Sequence, residues 1–112
     1  MTTENDIIQA VYQVILDRKL NPTDNSYTSS LMRGGIDKIL KKVGEESTEV
    51  VIAAKGGVPA EIIYETADLV FHLLVLLGHQ NIPVDAVYDE LRRRFGTSGI
   101  AEKAARTVPP PA

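Results

Sequence analysis

The sequence predicts an all-α fold built from four main helices. Three observations carry this expectation. Apolar residues recur at helical spacing over nearly the whole chain. Aromatic residues make up only 5% of it, and the β-branched alternation that marks strands is absent over useful lengths. Gly-Gly pairs and prolines cut the chain into segments of helix length.

The elements follow in chain order. Thr3, with Asp6 three residues on, has the spacing of a capping box and opens a first helix. Its apolar face is Ile7, Ile8, Val11, Val14 and Ile15, and it ends near Lys19, before Asn21-Pro22. Residues 21–35 read as a polar connection with a short turn of helix after Ser26, interrupted by Gly34-Gly35. A second helix runs from about Ile36 to Lys55, with Ile36, Ile39, Leu40, Val43, Val50, Val51 and Ala54 on its apolar face, and Gly56-Gly57 stops it. Pro59 suits the first turn of a third helix, which continues to about Gln80. Pro83 opens a fourth, with Val84, Val87, Tyr88, Leu91 and Phe95 inward. Arg92, Arg93 and Arg94 fall at its end, where positive charge complements the helix dipole. Residues 1–95 are expected to form one domain, and residues 96–112, with Pro109-Pro110-Pro111, a loosely ordered tail.

Short connections between long helices predict a bundle. The third helix is apolar around most of its circumference, from Ile62 and Ile63 through Val70, Phe71 and Leu73 to Leu77. Such a helix is normally buried nearly all round. One chain of 112 residues has little to cover it with, so a homodimer or higher homo-oligomer is expected.

Composition excludes several classes. There is no cysteine, hence no disulfide framework, thiolate metal site or cysteine nucleophile. The net charge of -3 argues against nucleic-acid binding, which normally requires a basic surface. No basic segment leads an N-terminal apolar run, and the longest apolar stretch, Leu73–Leu77, is far too short for a bilayer. The expectation is a cytoplasmic protein with no membrane partner.

Chemistry concentrates in the acids. Residues three or four apart share a helix face. Glu46 and Glu49 are such a pair on the second helix, with Glu45 lying further out. On the third, Glu61, Glu65, Asp68, His72 and His79 form one narrow stripe on an otherwise apolar element. Several carboxylates in apolar surroundings need protonation, basic partners or a bound cation. Four oxygen ligands without cysteine suit Mg2+ or Mn2+, whereas zinc recruits histidine or cysteine. Two carboxylate-bearing helices within a bundle are an established way to hold such ions. Lys38, Lys41 and Lys42 lie one or two turns before Glu45, Glu46 and Glu49, where they can hold phosphate oxygens beside the cation. His72 reads as a hydrogen-bonding neighbour and His79 as an exposed residue near the helix end. The bland alternative is a solvated acidic face paired with the lysines at i,i+4 spacing, on an inert dimerisation module.

Glu45-Glu46-x-x-Glu49 followed by Glu65-x-x-Asp68 resembles the signature of the all-α MazG-like nucleoside triphosphate pyrophosphohydrolases. Ser26-Tyr27-Thr28, Gly35 through Glu46, Glu61 through Leu69 and His72 through Leu77 together resemble, more narrowly, the phosphoribosyl-ATP pyrophosphohydrolase family. The resemblance extends over about residues 4–95. It implies a MazG-like bundle completed by dimerisation and a small-molecule nucleotide substrate, phosphoribosyl-ATP. It also implies hydrolysis of the α–β phosphoanhydride with Mg2+ in the second step of histidine biosynthesis. On that basis Glu46, Glu49, Glu65 and Asp68 are the expected metal ligands, and Glu45 a base or supporting residue. Lys38 and Lys42, with Lys41, are expected at the phosphates, and Tyr27 and Thr28 on an entry loop at the substrate. Ser47 departs from the alanine usual between the motif glutamates. A cyclohydrolase domain, fused to this unit in some organisms, has no counterpart in the sequence, so one activity is expected. A housekeeping pyrophosphohydrolase acting on ordinary or damaged nucleoside triphosphates is the neighbouring alternative.

Overall fold

A computed structural model describes residues 6–95, and every element among them is helical: α1 (Ile7–Leu20), α2 (Tyr27–Gly34), α3 (Ile36–Gly56), α4 (Pro59–His79) and α5 (Val84–Phe95). Thr3 and the tail after Phe95 lie outside the described residues. Two compact units divide between Ile82 and Pro83, so α1–α4 and α5 are described separately.

The four expected helices are present, with a fifth, α2, where only a turn was foreseen. Ser26 is its N-cap: the side chain accepts a hydrogen bond from the Ser29 amide at 3.1 Å. This cap satisfies one of the free amides of a first turn and lets an eight-residue helix form. Gly35 ends it with φ +84°, a conformation that side chains resist, and passes the chain straight into α3. In α1 the cap is Asp6, whose carboxylate accepts from the Gln9 amide at 3.1 Å.

Gly57 closes α3 in the left-handed region (φ +78°), and Pro59 stands at the start of α4. The two 21-residue helices therefore turn back on each other across a two-residue link and pack along their length. α1 and α2 lie against this hairpin, and the core between them contains Tyr12, Ile15, Leu31, Ile39, Leu74 and Val75. Two long-range contacts tie α1 to the end of α4. The Tyr12 hydroxyl donates to the Ile82 carbonyl at 2.6 Å. The Lys19 ammonium donates to the carbonyls of Gly78 (2.8 Å) and His79 (3.2 Å) and to Asn81 Oδ1 (2.7 Å).

Not every apolar residue read as inward is covered. On α1, Ile7 and Val14 are exposed while Tyr12 and Gln9 are buried. Leu40 and Val51 on α3 and Ile63 on α4 are also exposed. A helix with apolar residues on two faces fills the core with one and leaves the other open within a single chain. In the second unit, Glu90 pairs with Arg93 and Arg94 and Asp89 with Arg92, at i,i+3 and i,i+4 spacing. Val87, Leu91 and Phe95 are exposed, not inward, because α5 is the sole described element of its unit. No described helix is long and apolar enough to cross a membrane.

Candidate active site

The acids meet where the middle of α3 faces the first half of α4. Glu46 is buried, with its carboxylate on the α4 side of the hairpin. An oxygen of Glu46, an oxygen of Asp68 and a ring nitrogen of His72 all lie within 4.8 Å of one another. Glu65, one turn before Asp68, is half-buried. Burial pushes its carboxyl up, and so do the negative charges of Glu49, Glu46, Asp68 and Glu61. The two acidic pairs therefore share one electrostatic field, although Glu49 is exposed and the tight group consists of Glu46, Asp68 and His72.

Lys42 is the cation set among these acids. Its ammonium stands 3.4 Å from Glu46 and 3.6 Å from Glu45. Burial works against its charge. The Tyr27 oxygen, the hydrogen bond to Glu46 and the charges of Glu46 and Glu45 outweigh that and hold the ammonium above its ordinary value. Glu45 itself is exposed. Lys38 and Lys41 are exposed as well, and the Lys38 stem lies over Gly34, where a Cβ would collide with it.

His72 is almost fully buried and both ring nitrogens are engaged. Nδ1 lies 2.8 Å from the main-chain carbonyl of Asp68, and Nε2 lies 2.8 Å from the Tyr27 hydroxyl. Tyr27 opens α2 and is not on a loop, and Thr28 beside it is half-buried. The Tyr27 ring stacks on Phe71 (centroids 6.3 Å apart) and meets His72 edge-on at 5.7 Å. The sequence offered no signal for this pair, which is 45 residues apart. The Ser26 cap alone marked the helix that brings Tyr27 there.

The donor set decides which cation fits. With both His72 nitrogens hydrogen-bonded to protein, the ligands left for an ion are carboxylate oxygens, several of them close enough to repel one another. That set suits a hard divalent ion with oxygen preference. His79 lies two turns further along the stripe, half-buried, with Nδ1 2.9 Å from the Gln80 amide nitrogen. It lines a cavity of about 250 Å³ with Lys19 and Arg33. These three basic residues occupy the last turns of α4, α1 and α2. The Lys19 and Arg33 charges there complement the C-termini of α1 and α2.

The fold and site define an all-α protein with a group of carboxylates from two facing helices that could hold a metal ion. A profile of the PRA-PH family, phosphoribosyl-ATP pyrophosphohydrolase, matches residues 8–95. A phosphoribosyl-ATP pyrophosphatase of Geotalea daltonii is 72% identical over 102 residues, covering 91% of this chain and 96% of that protein. That of Geobacter sulfurreducens is 68% identical over 106 residues, covering 95% and 98%. The histidine biosynthesis bifunctional protein HisIE of Caldanaerobacter subterraneus subsp. tengcongensis is 53% identical over 90 residues, covering 80% of this chain and 44% of that protein. The chain belongs to the phosphoribosyl-ATP pyrophosphohydrolase family.

Proposed function

We propose that the chain hydrolyses the α–β phosphoanhydride of 1-(5-phosphoribosyl)-ATP to 1-(5-phosphoribosyl)-AMP and pyrophosphate, the second step of histidine biosynthesis. The observation that carries this reading is the family match over residues 8–95, which spans both acidic pairs and the lysines. The oxygen of one water joins phosphorus as the bridging P–O bond breaks, and pyrophosphate leaves. Glu46, Glu49, Glu65 and Asp68 hold the ion, Mg2+ or in its place Mn2+. When bound, it supplies charge neutralisation on the phosphate oxygens and a more acidic water. Glu45, outside the tight group, is the candidate to take the water's proton. Lys42, Lys38 and Lys41 hold phosphate oxygens, and Tyr27 and Thr28 border the substrate side of α2. The working protein is a cytoplasmic homodimer. A groove of about 320 Å³ between Ile7, Ile8 and Val11 of α1 and Val70, Phe71 and Leu74 of α4 supports this, as do the exposed Val51, Ile52, Ile63 and Tyr64.

The test is incubation of purified protein with phosphoribosyl-ATP and Mg2+. Equal amounts of pyrophosphate and phosphoribosyl-AMP are expected, with far slower attack on ATP and no reaction in excess chelator. Absence of pyrophosphate overturns the reading. Faster cleavage of ordinary nucleoside triphosphates replaces it with the housekeeping one. Light scattering coupled to size exclusion gives the mass, and a monomer refutes the dimer.

A further inference from the structure

The cavity at the far end of the acidic stripe has a charge pattern that the scheme above leaves unused. Lys19, Arg33 and His79 line it with Pro22, Ser29 and Met32, and no acid does, in a chain whose net charge is -3. The three bases are not equivalent. Lys19 donates to the carbonyls of Gly78 and His79 and to Asn81 Oδ1, so it brings a fixed positive charge and no spare hydrogen. The Ser29 hydroxyl is committed as well, donating to the Arg18 carbonyl at 3.3 Å and accepting from the Thr23 amide at 3.1 Å. Arg33 differs: among the described residues no carboxylate or carbonyl takes its guanidinium. The carbonyls of Leu31 and Met32, at the end of its own helix, accept from the Gly35 amide instead. His79 Nδ1 faces the Gln80 amide, and Nε2 has no protein partner among the described residues. A planar fork of N–H donors, beside an imidazole and a fixed ammonium, matches the oxygens of a phosphate monoester.

The cavity is also aligned with the acids. Glu65, Asp68, His72 and His79 share one face of α4. Helix α2 runs along that helix: Tyr27 at its start reaches His72, and Met32 near its end lies 3.6 Å from where a Cβ on Gly78 would stand. His79 is therefore about 10 Å beyond His72 and about 16 Å beyond Asp68 along the axis. Phosphoribosyl-ATP carries a triphosphate and a monophosphate at opposite ends of a ribose–purine–ribose chain, and ATP lacks the monophosphate end. We propose that the cavity holds the 5′-phosphate of the phosphoribosyl group, with Arg33 as its main contact and His79 Nε2 as a second, while the triphosphate lies over the acids. Arg33 is then a specificity-determining residue, since it engages the charged group that separates phosphoribosyl-ATP from ATP. The assignment rests on the reaction proposed above for the identity of the phosphate, and the preference of the cavity for a phosphate monoester does not.

Two measurements on the full chain test it. The sequence has two histidines, so NMR of the imidazole rings follows His72 and His79 separately, with His79→Asn assigning the pair. Titration with ribose 5-phosphate should move the His79 signals to saturation, and ribose should not. Arg33→Met, which keeps an unbranched stem on an exposed residue, should weaken this binding at least about tenfold, and Arg33→Lys should recover part of it. In steady-state kinetics with Mg2+, Arg33→Met should lower kcat/KM for phosphoribosyl-ATP about thirtyfold, mostly through KM. The ratio of kcat/KM for phosphoribosyl-ATP to that for ATP should fall by a similar factor. A ratio that changes less than twofold overturns the proposal. If the His79 signals then still respond to inorganic phosphate, the cavity serves a free anion and not the substrate. Equal losses on both nucleotides also overturn it, as do His79 signals that ribose 5-phosphate leaves in place. If the native protein releases no pyrophosphate from phosphoribosyl-ATP, the proposed reaction falls and this substrate assignment with it, and the ribose 5-phosphate titration still decides whether the cavity takes a phosphate monoester.

Discussion

Lys19→Met isolates what holds the end of α4 in place. Methionine keeps most of the unbranched stem and removes only the ammonium, so packing changes little. Three hydrogen bonds are lost, at 2.8, 3.2 and 2.7 Å, to Gly78, His79 and Asn81. Two of the acceptors are carbonyls of the last turn of α4, and that of Gly78 also accepts from the Asn81 amide at 3.3 Å. Their negative end of the helix dipole also loses a compensating charge. Hydrogen bonds to charged groups contribute roughly 1.5–3 kcal/mol, and solvent reaches this part-buried site. The expected loss is about 2 kcal/mol, equivalent to a fall in Tm of about 10 °C for a domain of this size. Urea unfolding followed by circular dichroism at 222 nm, at fixed protein concentration, measures it. Asp68 lies ten residues before Gly78, roughly 15 Å along the helix, so kcat at low temperature should be nearly unchanged. A loss below about 0.5 kcal/mol would refute the view that Lys19 caps α4. A large fall in kcat with stability intact would place Lys19 in the site instead.

Four further outcomes are expected. Asp68→Ala or Glu49→Ala should lower pyrophosphate release more than about a hundredfold while the helical circular dichroism persists, and should abolish any Mg2+-dependent rise in Tm; retained activity in both would exclude these carboxylates as ligands. The Glu65 carboxyl is raised from 4.5 in the fold, so the folded state binds more protons than the unfolded one. In chelator, stability should therefore rise as pH falls through that raised value and level off below 4.5, and Glu65→Gln should flatten this rise. Glu90 works in the opposite direction: hydrogen bonds from Arg93 and Arg94 lower its carboxyl to about 2, so the stability it adds above 4.5 drains away between 4.5 and about 2. Ser47→Ala removes a bond from Oγ to the Val43 carbonyl at 2.8 Å, in mid-helix, and should stabilise by about 0.5 kcal/mol through helix propensity; a loss above 1 kcal/mol in urea unfolding would show that the hydroxyl has a packing role.

The long helices were legible because their ends are written in residues with few backbone options. Gly57 adopts a positive φ and Pro59 fits a first turn, so the α3–α4 hairpin could be read directly from two positions. The acidic stripe was legible for a similar reason: three- and four-residue spacing places Glu65 and Asp68 together whatever the tertiary structure. Helix α2 was harder. It has eight residues and two large aliphatic side chains, Leu31 and Met32, too few to display a period. The inward face of α1 was mistaken in part because periodicity does not say which of two apolar faces the rest of the chain covers. Ile7 and Val14 met that ambiguity, and Tyr12, with its hydroxyl on Ile82, took the core position.

The contribution of α2 to the site follows from what His72 can no longer do. A buried imidazole within 4.8 Å of two carboxylates would by itself favour a borderline ion such as zinc. The Tyr27 hydroxyl takes one of its nitrogens and the Asp68 carbonyl the other, and the ligands that remain are oxygens. The two 21-residue helices, clear from sequence, bring the acids together, whereas the eight-residue helix between Ser26 and Gly35 adjusts what those acids can bind. It does so with a neutral hydroxyl, which adds no charge to a cluster already crowded with negative ones. A carboxylate at position 27 would have added negative charge beside the acids and offered an ion another ligand. A tyrosine supplies the contact to His72 without charge, and its ring packs on Phe71 to hold α2 against α4.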